Sequence, residues 1–449
     1  MAASVELPDG IDTVIVATAD IQGRLIGRRI PAENFAGAVE HGVAVSQCVF
    51  GWDIMQNSEL LATGALDYTG IHNGMGDVVL MPDTSTLRVA AWLDSTAIVL
   101  ADAVEVDGTA TELAPRTVLQ RQIAQLAAMG LTASVGTELE YSLFHGAPSE
   151  LRADEYRTLD PTTTRPADYS ILDGDALEPF LADQRRRLLA AGVEVEASQI
   201  EWGLGQIETT LVHTDPLRMA DSHVVYKLAV RSHAAQRGMT ASFMAKPTAE
   251  QPGNSCHIHL SLRNADGEPV FWSADDAHHV SEQLHHAIGG TLQRIPDVFA
   301  WYAPTVNSYR RTRAKDAAGW GCTWGIDHRF VSVRVVGNTP SSVRMEFRLA
   351  GADTNPYLAL SALIASVIDG LEQRTDPGEP VVGSPFDLDV EETPRHLGAA
   401  VDHFASSAWT RSVFGDAVVE HHATLGRFEW DQFLDAVSDW DRIRYFDAI

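Results

Sequence analysis

The sequence predicts an α+β fold with a small N-terminal domain and a large C-terminal domain. Three observations predict this fold. β-type segments separated by turns fill roughly the first 105 residues, helices and short strands alternate afterwards, and four later strands carry polar residues on one face only. The turn Val106-Asp107-Gly108 separates the two patterns. We therefore assign residues 1–107 to the first domain and residues 108–449 to the second.

Composition narrows the classes of partner. The net charge of −28 disfavours nucleic acid, which needs a basic face, and an anionic membrane surface. Three widely separated cysteines form no C-x-x-C pair and predict neither a disulfide framework nor a zinc site. The N-terminal stretch lacks the pattern of a signal peptide, and no apolar run approaches the roughly 20 residues of a membrane span. We expect a cytoplasmic protein with no nucleic-acid or membrane partner.

The first domain begins with a predicted β-hairpin. β-branched residues form a strand over 12–18, a Gly-containing turn follows, and residues 25–30 form the returning strand. A short helix is predicted over 31–41, ending at Gly42. Further β-type segments lie around 43–49, 77–81 and 96–102.

The second domain begins with a helix that Pro115 starts and Gly130 ends, since proline favours the first turn of a helix and glycine the residue after its end. Later helices are predicted over 175–191, 215–238, 277–292 and 355–372. The histidine doublets on helices are interpreted as surface features; they are His278-His279, His285-His286 and His421-His422.

The four polar-faced strands hold the candidate chemistry. Side chains two residues apart in a strand share a face. The pairs are Glu138 and Glu140, Gln206 and Glu208, His257 and His259, and Glu346 and Arg348. This pattern predicts one curved, antiparallel sheet whose concave face is a polar funnel and whose convex face is packed under helices.

Oxygen ligands dominate this set and no thiolate is near, so the set suits Mg²⁺ or Mn²⁺ better than zinc. With Glu201, five glutamates and one histidine suffice for two ions. Two ions and nearby arginines suit phosphoryl transfer. A lone Glu-x-Glu pair is more often a solvated edge, and His259 alone is more often a hydrogen-bonded core residue. Acids on four strands together favour the metal interpretation.

These residues fall in ordered motifs that resemble the glutamine synthetase family. The motifs, which span residues 136–360, are GTELEYSLF, EWGLGQIE, FMAKP, GNSCHIHLSL, NSYRR, WGIDHR and RMEFRLAGADTNPYLAL. The segment 12–30 also resembles the N-terminal β-grasp domain of the family's glutamylamine branch, which contains γ-glutamyl amide, polyamine and ethanolamide synthetases. The resemblance implies a β-grasp domain followed by the catalytic domain.

The resemblance also implies site roles. One ion would be held beside glutamate by Glu140, Glu201 and Glu208, and another beside ATP by Glu138, His257 and Glu346. The residues implied to bind glutamate are Gly253, Arg311 and Arg348. Those implied to contact the nucleotide or act in phosphoryl transfer are Glu196, Ser261, Arg329 and Arg334.

The implied reaction is ATP-dependent. Glutamate's γ-carboxylate is phosphorylated, and an amine then displaces phosphate to give a γ-glutamyl amide. The resemblance further implies a homo-oligomer of stacked hexameric rings, a dodecamer, in which the N-terminal domain of one subunit closes the catalytic funnel of the next.

Two departures from the family pattern concern the amine. Ala317 stands where ammonia-using members carry a flap glutamate, and Asp53 is the candidate counterpart of an absent ammonium-binding segment. Loss of these acids leaves a small cation without electrostatic partners, so we expect an amine larger than ammonia. Trp52, Trp320 and Trp324 are candidates to line its pocket. A neutral aromatic amine would need no acid, whereas a charged aliphatic amine or polyamine would need Asp53, Asp316 or another. The residues leave these alternatives open.

Other departures keep further alternatives open. His328 replaces the asparagine usual before the transfer arginine, and Phe330 replaces a small residue after it. An ammonia-using glutamine synthetase, a non-catalytic binding or sensing protein, and a donor other than glutamate therefore remain alternatives. Phe386 lies where regulated relatives carry a modifiable tyrosine, so control by adenylylation there is not expected.

Overall fold

Two β-sheets organise the protein, as a computed structural model that describes residues 6–313 and 317–449 shows. The N-terminal sheet has the order β2-β1-β6-β4-β3, with β5 beside β6. Its strands are β1 (Thr13–Ala19), β2 (Leu25–Pro31), β3 (Val43–Ser46), β4 (Asp77–Pro82), β5 (Arg88–Val89) and β6 (Thr96–Val104). The predicted hairpin is confirmed as the antiparallel pair β1 and β2, and β1 also pairs with β6 in parallel.

The second sheet has the order β13-β14-β15-β12-β7-β10-β9 over the described part of the chain, with β8 and β11 paired to β7. Its strands are β7 (Thr132–His145), β8 (Asp160–Pro161), β9 (Val195–Ile200), β10 (Gln206–Leu211), β11 (Met239–Ser242), β12 (Cys256–Arg263), β13 (Trp324–Ile326), β14 (Val333–Val336) and β15 (Arg344–Phe347). Neighbouring strands are antiparallel except β13 and β14. The predicted α+β fold with a curved sheet is confirmed.

Helices α3, α5, α6 and α7 pack against this sheet, and α9 packs on α3, α6 and α7. The helices of the described residues are α1 (Phe35–His41), α2 (Glu59–Thr63), α3 (Pro115–Ala128), α4 (Pro148–Ala153), α5 (Ile171–Ala190), α6 (Pro216–Gln236), α7 (Glu282–Tyr302), α8 (Ser308–Thr312), α9 (Pro356–Gln373), α10 (Leu397–Ser406), α11 (Ala408–Phe414), α12 (Asp416–Asp435) and α13 (Asp439–Tyr445). None of the helices in the described ranges is long and apolar enough to cross a membrane.

The central strand β7 shows why the sheet has one polar and one apolar face. Leu139, Tyr141 and Leu143 alternate with the glutamates and are fully buried against the helical layer. The Tyr141 ring lies 5.4 Å from that of Phe243. Burying side chains of this size stabilises the fold by about 1.5–3 kcal/mol each, so the apolar face fixes which way the glutamates point.

Polar contacts join the N-terminal sheet to the helices of the second domain. The Asn355 side-chain amide caps α9 and donates to the carbonyls of Asp20 and Ile21 at 3.1 and 3.0 Å. His421 Nε2 donates to the carbonyl of Phe50 at 2.6 Å. The surface interpretation of His421-His422 is therefore wrong, because α12 packs on the first domain and buries both rings. The boundary at 107/108 falls between the two sheets and stays a proposal.

Three predicted helices have different bounds in the structure. The helix predicted over 31–41 is a 3₁₀ turn at Ala32–Asn34 followed by α1. Helix α5 begins at Ile171, four residues early, because the Ser170 hydroxyl caps it by accepting from the Asp173 N–H. Helix α7 begins at Glu282, where Ser281 caps it, and continues through Pro296 to Tyr302. Periodicity alone does not locate such caps.

Candidate active site

The polar faces of β15, β12, β7 and β10 meet because these four strands are neighbours in the sheet. In the registers, His257 lies opposite Glu138, Glu208 opposite Glu140, and Glu346 opposite His259. The predicted face pairs therefore form one continuous polar patch. Five of the six predicted metal ligands lie on these four strands. The sixth, Glu201, directly follows the end of β9.

One end of the patch is a carboxylate–histidine cluster. His259 Nε2 lies 2.8 Å from a Glu138 oxygen, and His257 Nδ1 lies 3.3 Å from the other. His257 Nδ1 is also 3.7 Å from Glu346. Burial favours the neutral acid, but hydrogen bonds from the two histidines outweigh it and hold the pKa of Glu138 well below its usual range. Burial lowers the pKa of His257 to about 4, so its imidazole is neutral and able to bind a metal.

Glu346 is the most buried acid of the patch, with 1% exposure. Arg334 donates to one of its oxygens at 2.9 Å, and Arg348 donates to the other. Burial raises its pKa, but these arginines and the histidines offset that effect, so the pKa is lowered overall. Arg348, predicted to bind glutamate, and Arg334, predicted to act on phosphate, thus both contact Glu346, a predicted metal ligand.

The other end of the patch is a cluster of three glutamates. Glu140 accepts hydrogen bonds at 2.8 Å from the Gln206 side chain and at 2.8 Å from the Ser255 N–H. The Gln199 amide donates to both Glu201 and Glu208 at 3.0 Å, which holds these two carboxylates side by side.

At this end of the patch nearby side chains offset the charge of the carboxylates only in part. Burial raises the pKa of Glu140, and the charges of Arg311 and Arg348 act against that rise. Burial and the charge of Glu140 raise the pKa of Glu201 to about 7. Burial, then repulsion by Glu138 and Glu140, raise the pKa of Glu208 far above its usual range. Buried carboxylates that repel one another fit divalent cations, whose charge offsets the repulsion.

Two groups of ligand atoms lie within 4.8 Å of one another in the described part of the chain. They are Glu138 with His259 and Glu346, and Glu138 with Glu208 and His257. His257 Nε2 is buried without a hydrogen-bond partner. Glu138 belongs to both groups, and Glu208 groups with His257 rather than with Glu140 and Glu201. The donor set fits divalent ions, and the division of ligands implied by the resemblance stays a prediction.

The predicted glutamate-binding residues lie at one end of β15. Buried Arg311 donates to the carbonyls of Leu349 and Arg348 at 2.9 Å each. Gly253 packs against it so closely that an added Cβ would lie 2.7 Å from Arg311 Cγ and 2.5 Å from the carbonyl oxygen of Ala245. Gly253, Arg311 and Arg348 are therefore brought together.

The predicted nucleotide-side residues are spread along the sheet. Ser261 lies on β12 opposite Ser134, four residues beyond His257, whereas Glu196 is exposed on edge strand β9. Arg329 has an exposed side chain, and its carbonyl accepts from Arg348 Nε at 3.1 Å. Arg334 contacts Glu346, as described above.

The described part of the predicted flap contacts Arg348, and its role stays a prediction. Ala317 is exposed, and its carbonyl accepts from Arg348 at 3.0 Å. Asp316 lies outside the described residues. The half-buried ring of Trp320 meets Phe386 edge-on at 5.6 Å.

The other predicted amine-side residues lie elsewhere. Trp324 is buried in the core and donates to the carbonyl of Gly378 at 3.0 Å, and Trp52 packs on the core of the first domain. Asp53 lines a cavity of about 940 Å³ between the two domains that none of the predicted metal ligands lines. The three tryptophans and Asp53 of a single chain therefore do not line one common pocket.

Four further residues interact with the patch. Gln199 joins two glutamates, and His259 joins Glu138 to Arg344, which donates to its Nδ1 at 3.1 Å. His259 shares the strand face of His257, so its period-two spacing was the available signal. Asp168 and Tyr169 lie in the connection after β8 and interact electrostatically with the patch. A connection has no periodicity that marks it.

The comparison with known proteins bears on this site directly. Residues 112–445 match the family model described as glutamine synthetase, catalytic domain. The chain belongs to the glutamine synthetase family. That family depends on ATP and a divalent metal, in agreement with the carboxylate–histidine patch.

Two relatives and one solved structure are similar over nearly the whole chain. Gamma-glutamylethanolamide synthetase GlnA4 of Streptomyces coelicolor is 38% identical over 441 residues, which cover 98% of this chain and 93% of that protein. Glutamate–isopropylamine ligase of a Pseudomonas species is 34% identical, with coverage of 98% and 96%. The structure of apo GmaS without ligand matches with a TM-score of 0.86 and 25% identity, covering 100% of both chains.

Proposed function

We propose that this protein joins the γ-carboxylate of L-glutamate to an amine larger than ammonia, with ATP as co-substrate. In the first step a γ-carboxylate oxygen attacks the terminal phosphorus of ATP, which releases ADP and forms γ-glutamyl phosphate. In the second step the amine nitrogen attacks the acyl carbon, phosphate leaves, and the nitrogen loses a proton. The products are a γ-glutamyl amide, ADP and phosphate.

The observation that carries the proposal is an intact patch of metal-binding side chains beside a flap whose acid is missing. Repulsion among the buried glutamates would destabilise a fold that holds no cation, which opposes a purely structural role. Ala317 supplies no charge for ammonium. The relatives named for ethanolamide and isopropylamine products support an amine other than ammonia.

The protein's own residues divide the work by position. Arg311 and Arg348, held at the end of β15, would bind the carboxylates of glutamate, and the tight packing of Gly253 fixes Arg311. Arg329 and Arg334 would offset charge on the transferring phosphoryl group. Glu196 and Ser261 would contact the nucleotide. In this structure Arg334 and Arg348 contact Glu346. When substrate binds, these arginines would exchange the Glu346 carboxylate for a carboxylate or phosphate group of the substrate.

Two finer points complete the proposal. We assign two Mg²⁺ or Mn²⁺ ions, held by Glu140, Glu201 and Glu208 and by Glu138, His257 and Glu346. Their chemistry would be to offset charge on ATP and on the transferring group. We also propose stacked hexameric rings. Asp53 lies in a cavity apart from the patch of its own chain, which supports a role on a neighbouring subunit. We propose the same for Trp52, with Trp320 on the flap side.

The test is phosphate release from ATP with glutamate, Mg²⁺ and a panel of amines. We expect a primary amine larger than ammonia to give the highest kcat/KM. If ammonia is clearly the best substrate, the protein is a glutamine synthetase. If Mg²⁺–ATP binds but no amine supports turnover, the protein is a binding or sensing member of the family.

A further inference from the structure

The cavity of about 940 Å³ between the two domains lies apart from the metal patch. The first domain contributes the turn between β1 and β2 and the segment at Asp53 and Ile54. The second domain contributes residues of α6, β11, α7, α10 and α12. The volume falls within the range of roughly 300–1,000 Å³ that is typical of small-molecule sites. The cavity is therefore large enough for a ligand that contacts both domains.

Apolar and aromatic side chains form most of the cavity surface. Phe243, Trp301 and Phe404 line it and are buried, and the rings of Trp301 and Phe404 lie 5.0 Å apart. Met244 and Phe433 line it with exposed side chains. Exposed apolar surface inside a concave site is removed from water when an apolar ligand binds. The body of a ligand that fits this cavity is therefore apolar.

Two cations one helical turn apart on α6 form a charged wall of this cavity. Lys227 Nζ and the Arg231 guanidinium each lie 5.3 Å from the centroid of the Phe243 ring, which is a cation–π distance. Lys227 is buried and donates to the carbonyl of Ala352 at 2.7 Å. Burial, and then the charge of Arg231, lower the pKa of Lys227 to about 7. Arg231 therefore carries the lasting positive charge of this wall at neutral pH.

The charge of Arg231 is not neutralised by neighbouring side chains. Its side chain is exposed and lines the cavity. Within the two described ranges its guanidinium makes no hydrogen bond or salt bridge, and the charge that acts on it is that of Arg24, which repels it. Desolvation by the surrounding walls and this repulsion lower the pKa of Arg231. A bound anion would offset both effects, because guanidinium and carboxylate groups form charge-assisted hydrogen bonds.

Three acids also line the cavity, and none of them forms a salt bridge with Arg231 in the part of the chain that the structure describes. Asp353 Oδ2 accepts from two hydroxyls at 2.9 and 2.6 Å. Asp53 Oδ1 accepts from two backbone N–H groups that follow it, at 2.9 and 2.7 Å. Burial, and then the charge of Asp53, raise the pKa of Glu429. The acids therefore leave Arg231 available to an anionic ligand.

We propose that this cavity is a ligand site separate from the metal patch, and that its ligand is a small organic carboxylate with an apolar body. The carboxylate pairs with Arg231, and the apolar body lies against the aromatic side chains of the cavity. The inference goes beyond the proposed function, since none of the predicted metal, glutamate or nucleotide residues lines the cavity. Because both domains line it, an occupant stabilises the contact between them.

The experiment measures phenylbutyrate binding by calorimetry to wild type and to Arg231→Met, which keeps an unbranched apolar side chain and removes the charge. We expect saturable binding to wild type and at least tenfold weaker binding to Arg231→Met, because a charge-assisted contact is lost. Phenylbutyramide, the uncharged amide of the same acid, should bind wild type at least tenfold more weakly. Arg231→Lys should recover part of the lost affinity. Arg218→Met is the matched control, because Arg218 is exposed at the start of the same helix and does not line the cavity.

Saturating L-glutamate is present in every titration, so that phenylbutyrate does not occupy the predicted glutamate site. A wild type that binds no phenylbutyrate, or that binds the acid and the amide equally, overturns the inference. So does an affinity that is unchanged in Arg231→Met. Phenylbutyrate should also raise the Tm of wild type and of Arg218→Met by more than that of Arg231→Met, and an equal rise in all three counts against the site. The titrations contain neither ATP nor amine, so their outcome is independent of the test of the proposed function.

Discussion

Replacing Glu208 by glutamine should make the metal-free protein more stable while weakening its response to Mg²⁺. Glu208 is buried and is repelled by Glu138, Glu140, Glu201 and Glu346. Glutamine keeps the shape, and its oxygen still accepts the hydrogen bond that the Gln199 amide donates at 3.0 Å. The change therefore removes charge with little loss of packing.

The magnitude follows from two estimates. Two like charges roughly 5 Å apart repel by about 3 kcal/mol at an effective dielectric constant of about 20. Proton uptake limits the penalty at pH 7 to about 1.4 kcal/mol for each pH unit above the ordinary carboxyl pKa of 4.5, which is again about 3 kcal/mol. We expect a gain of about 1–3 kcal/mol. With an unfolding entropy of about 2.1 cal/mol/K per residue, that raises the apparent Tm of this 449-residue chain by roughly 1–3 °C.

The pH dependence has a definite sign. The raised pKa means that native Glu208 binds more protons than the unfolded chain does above the ordinary carboxyl range. Wild-type stability without metal therefore falls as pH rises through this window. The advantage of Glu208→Gln should shrink towards pH 4.5 and should keep growing as pH rises through neutrality towards the raised pKa.

The assay is thermal unfolding in EDTA and in Mg²⁺. Glu194→Gln is the control, because Glu194 is exposed and directly precedes β9, the strand that pairs with β10. Mg²⁺ should raise the Tm of wild type and of the control by more than it raises the Tm of Glu208→Gln, which keeps the proposed ligands of the second ion. A metal-free Glu208→Gln protein less stable than wild type would refute the reasoning about charge repulsion.

Three further predictions concern the amine, glutamate and the metal. Ala317→Glu should raise kcat/KM for ammonia at least tenfold, measured by phosphate release, because it restores a flap charge; no gain would contradict the interpretation of the flap. Gly253→Ala should raise the KM for glutamate about tenfold or more and leave the KM for ATP nearly unchanged. The reason is that the added Cβ would lie 2.5 Å from the Ala245 carbonyl oxygen and 2.7 Å from Arg311 Cγ. An unchanged KM for glutamate would exclude a role of Gly253 in positioning Arg311. Because burial raises the pKa of Glu201 to about 7 and that of Glu208 further, the apparent Mg²⁺ affinity measured by calorimetry should rise with pH through 7, by up to about tenfold per unit. A flat profile would count against Glu201 as a ligand.

The sheet could be predicted from sequence because its signal is local. Alternating residues in β7, β10, β12 and β15 each place polar groups on one face, and burying the apolar face requires the strands to be neighbours. The same argument explains why Glu138 and His257 come together. The side-chain hydrogen bonds between strands, such as that from Gln199 to Glu208, depend on the strand register. The spacing of residues in the sequence does not predict them.

The remaining differences arise from contacts distant in sequence. His421 is buried because it meets Phe50, more than three hundred residues earlier, and no pattern within α12 indicates that contact. Asp53 shares a cavity with residues of the helical domain rather than the metal patch of its own chain. Asp168 lies in an irregular connection whose position depends on an anchor to Ile200. Periodicity identifies strands but not where connections fold back.

The central claim is that the amine is larger than ammonia, and a competition measurement tests it most directly. The enzyme is given glutamate, Mg²⁺–ATP and equal concentrations of ammonia and a primary aliphatic amine such as ethanolamine or isopropylamine, and the products are counted by mass spectrometry. The account predicts that the γ-glutamyl amide of the larger amine predominates over glutamine. Glutamine as the main product with every such amine would contradict it.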